Sequence, residues 1–387
     1  MYGKYGADSL PRRGAMLFTE FERYHLTDQK RAKDKDHLRF LKRMSQGAKI
    51  LMSDLLRYRK LGIEDLSSDF DIQNDKVSWK YAPILVADNR ERIDIVARKA
   101  VLFAGDHETY TFRWKTDVGS WKNAPLLLHD KLNIQDSDPC FWQYFVCGAD
   151  GFLTTNLNNN LGLANGTPVK LHSLTFGTDD QLQAVMSEIR NKPSGSVITL
   201  TEPPLAVNVA IPSLFDQKNA VSQKKKAQLD ILQKLSVVKG ETVIALPAMR
   251  SHTKPHEYTV HSLNGIGRVT TKEVFPYELA FGMTIHKAQG RTIPRVVLAL
   301  AHRENAWTQM TYASIYVAMS RVKLSADMRI IYHDRGPRPG ILGLKYVTNL
   351  RHCAHVMDYY AGFMATAPAI WDSTRSAAAK AARQIRI

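Results

Sequence analysis

The chain has 387 residues, 44% of them hydrophobic, and carries 53 Lys and Arg against 37 Asp and Glu, a formal charge of +16. No apolar run approaches the roughly 18 residues of a membrane helix, and MYGKYGADSLPRRGAM lacks the apolar core of a secretory leader, so a membrane partner is not expected and an intracellular place is: the nucleus in a eukaryote, the cytoplasm otherwise. Cys140, Cys147 and Cys353 form no CxxC pair, which argues against a zinc ribbon or a disulfide framework, while the basic excess favours a polyanionic partner without separating DNA from RNA.

In chain order, residues 20–62 read as helical, with Leu38, Leu41, Met44, Leu51, Leu55 and Leu56 at three- and four-residue spacings and Gly47 and Gly62 as stops. APILVADNRERIDIVARKAVLFAG (82–105) predicts a buried strand, a cap at Asp88 or Asn89, and a helix with Ile93, Val96 and Ala97 inward. Strand, capped turn and helix is the unit of a parallel α/β sheet. From about 108 to 265 the pattern alternates and turn residues multiply. NLNNNLGLANGTPVKL is a loop-and-hairpin signature with Gly162 and Gly166 as hinges. VSQKKKAQLDILQKLSVV reads as a short basic helix whose Lys224–Lys226 run is a solvated surface. The α/β rhythm returns with YELAFGMTIHKAQGRTIPRVVLALA, a helix over Trp307–Ser320 and a strand at MRIIYH; after Arg335 the pattern weakens into a basic, Ala-rich tail.

Four segments, in order, resemble motifs of superfamily 1 DNA helicases of the petite-integration-frequency and RecD-like class, including Helitron transposon helicases. HLTDQKRAKD is similar to motif IV, LGLANGTPVKL to that family's NGT hairpin, TIHKAQGRTI to motif V and YVAMSRVK to motif VI. Together with SLPRRGAM, which resembles motif III with Ser9 at the glutamine position and Arg12 and Arg13 replacing Pro-Val, the resemblance covers residues 9–335. It implies an α/β fold: a second RecA-like domain, mostly parallel sheet flanked by helices, with a small β-barrel-like insert. The boundaries it suggests are a remnant of the first RecA-like domain at 1–25, the second domain at 26–107 and 266–335, the insert at 108–265 and a basic tail at 336–387.

The same resemblance assigns roles. Arg321 and Arg31 match the arginines that face nucleotide phosphates in the family, where a planar guanidinium meets phosphate oxygens bidentately. Gln289 and Gly290 match the nucleotide-coupling pair, and Thr284, His286, Lys287 and Asn165 match positions on the nucleic-acid strand. Asn165 and Gly166 are accounted for equally well as residues a tight turn demands. For the aromatics Trp114, Trp121, Phe141, Trp142 and Tyr144, core packing outweighs base stacking.

No GKT or GKS occurs in the sequence, and no acidic pair follows an apolar strand, so the phosphate-binding loop and the magnesium site of the first RecA-like domain are missing. The expectation is a C-terminal motor portion of an ATP-dependent DNA helicase, inactive alone, with a first domain lost or never included. ATP and Mg would act in the complete enzyme, single-stranded DNA or RNA would be the partner, and a separate chain or segment would supply the loop. The alternative is a non-catalytic single-strand-binding protein derived from a helicase.

Overall fold

A computed structural model describes residues 24–25, 31–66, 79–122, 128–211, 231, 234, 236–238, 242–250, 256–262, 265–271, 273–300, 310–332, 341–354, 357, 361 and 369–370. Ser9, Arg12, Arg13, the Lys224–Lys226 run and the Ala-rich tail lie outside the described residues.

Helix α1 (Lys35–Ser45) starts where the Asp34 carboxylate accepts from the amides of Asp36 at 2.9 Å and His37 at 3.3 Å. Its buried stripe is His37, Phe40, Leu41 and Met44, at helical spacing. Gly47, at φ +75°, stops it. The long helix expected over 20–62 is therefore α1 and a single turn at Met52–Leu55, while Tyr24–His25 is extended against Ala369–Ile370.

Strand β1 (Ile84–Val86) leads into α2 (Asn89–Asp106), whose cap is Asp88, accepting from Arg90 N at 2.6 Å. This unit matches the pattern in 82–105. A long, mostly antiparallel region follows: β2 (Thr111–Lys115), β3 (Val118–Lys122), α3 (Leu128–Ser137), β4 (Trp142–Val146), β5 (Asp150–Leu153), β6 (Pro168–Thr175), α4 (Asp179–Asn191), β7 (Val197–Thr199), β8 (Ala206–Ala210), β9 (Val243–Pro247), β10 (His256–Ser262), β11 (Gly265–Thr271) and β12 (Tyr277–Leu279). These strands make a five-stranded antiparallel sheet in the order β9-β8-β6-β5-β12, a three-stranded antiparallel sheet β10-β11-β3, and a three-stranded mixed sheet β4-β2-β7 in which β2 and β7 run parallel.

The chain then returns with β13 (Gly282–Thr284), α5 (Ile285–Ala288), β14 (Val296–Ala299), α6 (Tyr312–Met319), β15 (Met328–Ile331) and α7 (Ile341–Asn349). The four-stranded sheet β13-β1-β14-β15 is parallel throughout. Every residue of β13 and β14 is buried, as a sheet covered on both faces requires. The protein is thus mixed α/β, with parallel and antiparallel sheets. The return to the parallel sheet comes at Gly282 rather than at 266, because residues 277–279 pair antiparallel with β5. Two further differences concern helices. The helix expected over 307–320 is described from Tyr312, where Thr311 and Ser314 form a capping box, residues 301–309 lying outside the described set. Beyond Arg335, α7 is a core element rather than tail, since Leu344 and Val347, three residues apart, are fully buried.

One core lies beside the parallel sheet and holds Phe40, Leu41, Leu85, Leu298, Ile315 and Val347; another fills the antiparallel region with Trp114, Phe145, Leu171, Val209 and Phe275. Helix α2 serves both bodies. It contacts β1 and β13, where a Cβ on Gly282 would stand 3.3 Å from the Arg92 carbonyl, and its Val96, Ala100, Phe103 and Ala104 belong to the antiparallel core. Within that region a side chain ties β4 to the segment just before β12. Gln143 on β4 donates to the Phe275 carbonyl at 2.9 Å and accepts from the Phe275 amide at 3.1 Å.

Candidate functional site

Three segments far apart in sequence meet at the turns that lead into β14 and β15. Arg31, three residues before the cap of α1, donates from Nε to Thr292 Oγ1 at 2.9 Å and from Nη1 to the Ser320 carbonyl at 3.0 Å. Arg321, just past α6, donates from Nε to the Val317 carbonyl at 2.8 Å and from Nη2 to Ser320 Oγ at 2.6 Å. Its Nη1 reaches the carbonyls of Arg291 at 3.2 Å and Ala288 at 3.4 Å. The backbone reinforces this contact, with Ile293 N donating to the Arg321 carbonyl at 2.9 Å and Lys33 N to the Lys323 carbonyl at 2.9 Å. The two arginines expected to face nucleotide are therefore brought together, along with the turn after α5.

They differ in posture. Arg31 is half-buried, whereas Arg321 is 7% exposed and most of its donors are turned inward onto carbonyls. Burial, and then the charge of Arg31, lower the Arg321 pKa to about 10. Two adjacent guanidiniums repel, and an oxyanion set against them would relieve that repulsion.

The turn between α5 and β14 follows from its sequence. Thr284 ends β13 and precedes α5, with its side chain buried; His286 is exposed on the four-residue helix. Gln289 is the exposed C-cap of α5, and Gly290 adopts φ +82°, a conformation that glycine takes without steric cost. Thr284, buried, and His286, exposed, thus do not present one common polar face.

On the other side of α5 lies a small cleft lined by Phe152, Thr154, Asn165, Glu278, Lys287 and Arg291, among others. Asn165 is exposed at the turn between β5 and β6, where its amide donates to Asn156 Oδ1 at 2.8 Å. Its neighbour Gly166 has φ +93°, and a Cβ there would stand 2.3 Å from the Arg291 guanidinium, which in turn lies 4.3 Å over the Phe152 ring. Lys287 donates from Nζ to Glu278 Oε2 at 2.5 Å, and Arg92 Nη1 stands 3.6 Å from the same oxygen. Burial lowers the Arg291 pKa and the Glu278 charge works against that shift.

The sequence reading did not single out Thr292, Arg291, Arg92 or Glu278. Thr292 and Arg291 lie inside the quoted motif. Glu278 leaves one legible signal, a lone acid between the apolar residues of YEL, which in a buried strand demands a cationic partner. Of the aromatics, Trp114 and Phe141 are each 1% exposed and belong to cores, while Trp142 is half-buried with the Arg113 guanidinium 4.3 Å over its ring.

The donor set fits the cationic side of a phosphate site. Among the described residues no group of three or more His, Cys, Asp or Glu could hold a metal ion, and no helix is long and apolar enough to cross a membrane.

No family model matches the sequence, and none of the curated proteins matches it. Among solved structures, the chain is similar to the Pif1 helicase from Candida albicans, at a TM-score of 0.39 and 15% identity, covering 83% of this chain and 59% of that one. It is similar to Bacteroides Pif1 bound to single-stranded DNA, at 0.42 and 14%, covering 82% and 54%. A third is the Pif1 helicase from Bacteroides in complex with ADP-AlF3 and single-stranded DNA, at 0.40 and 14%, covering 86% and 59%. The chain spans 54–59% of the length of these proteins. At such scores the functional reading rests on the residues described above.

Proposed function

We propose that this chain is the C-terminal motor portion of an ATP-dependent DNA helicase, the part that presents arginines to a nucleotide and a basic cleft to single-stranded DNA. The observation that carries the reading is the meeting of Arg31, Thr292, Ser320 and Arg321, drawn from three segments that resemble motifs IV, V and VI. A chance surface arginine has no reason to be tied to another motif's turn, whereas a phosphate-facing pair needs that rigidity.

In the complete enzyme, Arg31 and Arg321 would approach the phosphates of ATP, and Gln289 with Gly290 would form the exposed loop that registers nucleotide. His286, Lys287 and Asn165 would lie along the DNA strand. ATP and Mg would be held by a phosphate-binding loop on another segment or chain, because no such loop occurs in this sequence. Arginine cannot replace it, since a transferring phosphoryl group must be held before its charge can be neutralised. A binding-only role is favoured by one observation, the inward turn of the Arg321 donors.

The test is ATP hydrolysis and oligothymidylate binding by the purified chain, with Arg321→Ala alongside. Single-strand binding that weakens with salt by about 0.7 log units per log unit for each phosphate contact, without hydrolysis, is expected. DNA-stimulated hydrolysis abolished in the variant would overturn the shared-site account. Absence of binding at low salt would overturn the nucleic-acid reading.

A further inference from the structure

Glu278 is the feature that neither the motifs nor the proposed role account for. It lies on β12, in the antiparallel region, yet its carboxylate serves cations of other elements: Lys287 of α5 at 2.5 Å, Arg92 of α2 at 3.6 Å, and Arg291 through space in the same cleft. Its position is tightly set. The β12 backbone packs so closely on β5 that a Cβ on Gly151 would stand 2.9 Å from the Glu278 carbonyl. The carboxylate side chain is 22% exposed and the Lys287 side chain 39%, so the pair is open to a large polyanion from one side. A carboxylate set against cationic side chains, in a cleft it shares with Asn165, makes the kind of contact that a phosphodiester makes with such cations.

From this geometry we propose that Glu278 is a built-in competitor for the nucleic-acid backbone: it holds Lys287 and Arg291 in the cleft, and a phosphodiester must displace it to engage them. The inference rests on the proposed nucleic-acid-binding role of this cleft. Glu278 thereby sets how tightly and how salt-dependently the protein grips a strand, without touching the strand itself. Two consequences follow from elementary electrostatics. Removing the negative charge frees one cation for phosphate and removes a like charge from the approaching backbone, so affinity rises. Each cation newly engaged with phosphate releases another counterion, so the dependence on salt steepens.

The experiment measures binding of a fluorescein-labelled oligothymidylate by anisotropy across a salt series, for the unaltered chain and for Glu278→Gln, Glu278→Asp and Lys287→Gln. Thermal unfolding of each variant reports whether it is folded. Glu278→Gln should bind about three- to tenfold tighter at low salt, the scale of one nearby charge pair. Its slope of log K against log salt should steepen by about 0.7, one further phosphate contact. Glu278→Asp, which keeps the charge on a shorter arm, should fall between. Lys287→Gln should weaken binding and flatten the slope. A folded Glu278→Gln with unchanged affinity and slope, beside a Lys287→Gln that does weaken binding, overturns the competitor role and leaves the cleft as a DNA contact. Should Lys287→Gln also change nothing while the chain binds, the cleft is not the contact surface and the proposed use of Lys287 fails with it. Weaker binding by a folded Glu278→Gln would make Glu278 a support for Lys287 and overturn the inference as well.

Discussion

Arg321 shows how one side chain is pulled between structure and chemistry. Its donors hold the carbonyls of Val317, Arg291 and Ala288, and hydrogen bonds to a charged group are worth about 1.5–3 kcal/mol each. To meet a phosphate it must release some of these, an exchange that a bidentate phosphate contact offsets and a water molecule does not. A different cation, half-buried, allows a cleaner measurement. Lys99 of α2 donates to the Ala82 carbonyl at 3.0 Å, and burial lowers its pKa to about 8 from 10.5. Below pH 8 the folded and unfolded states both carry the proton, and folding pays the full desolvation of the charge. Between pH 8 and 10.5 the unfolded chain binds the proton and the native protein does not, so stability rises with pH through that window. Lys99→Met should remove this rise, seen as a shrinking stability difference between variant and parent from pH 8 to 10.5 in urea titrations. The variant should be more stable at pH 7 by about 1–3 kcal/mol.

At the scale of elements, the short helix α5 depends on how it ends. Gly290 stands at φ +82° with open space where a Cβ would go, so Gly290→Ala meets no clash and costs only the left-handed backbone, about 1–2 kcal/mol. The expected result is a midpoint lowered by that amount in chemical unfolding, with the Arg31–Thr292 contact and the cores intact. A loss far above this would mean that the turn, rather than the glycine, is the strained part. Legibility follows the same line between local and distant causes. The strand and helix over 82–106 could be read because an apolar run, a capping Asp88 and inward-facing Ile93 and Val96 all act within a few residues of one another. The motif arginines were legible as a group, because their spacing matches a pattern. By contrast, the reach of the antiparallel region to Leu279 was not: YEL suits either sheet, and its partner Gly151–Leu153 lies more than a hundred residues away. Nor was α7, which buries Leu344 and Val347 because it packs on the turn at Met52–Leu55, in the core beside the parallel sheet. The role of Glu278 depends on cations from α2, from α5 and from the turn after α5, information no local window contains.

Across the whole molecule, α2 makes the two bodies interdependent. It lies on β1 and β13 of the parallel sheet and supplies Ala100 and Ala104, both fully buried, to the antiparallel core. Unfolding one body without the other would strip one side of this helix, which favours a single cooperative transition. Helix loss followed by circular dichroism and the exposure of Trp114 followed by fluorescence should therefore coincide in urea. Ala100→Leu, which overpacks the shared helix, should shift both curves together by about 1–3 kcal/mol; separated midpoints in the parent would show independent bodies. The Gln143 seam gives the same body a different kind of dependence. Strands are ordinarily tied to their neighbours by main chain, which nearly every residue type supplies alike and few codon changes remove. Here the tie is an amide side chain that both donates to and accepts from the Phe275 backbone, in the segment before β12. A glutamate differs from glutamine by a single base in its codon, and its carboxylate could take but not give. The tie between β4 and that segment is thus heritable at one position, open to point mutation in a way that backbone rungs are not.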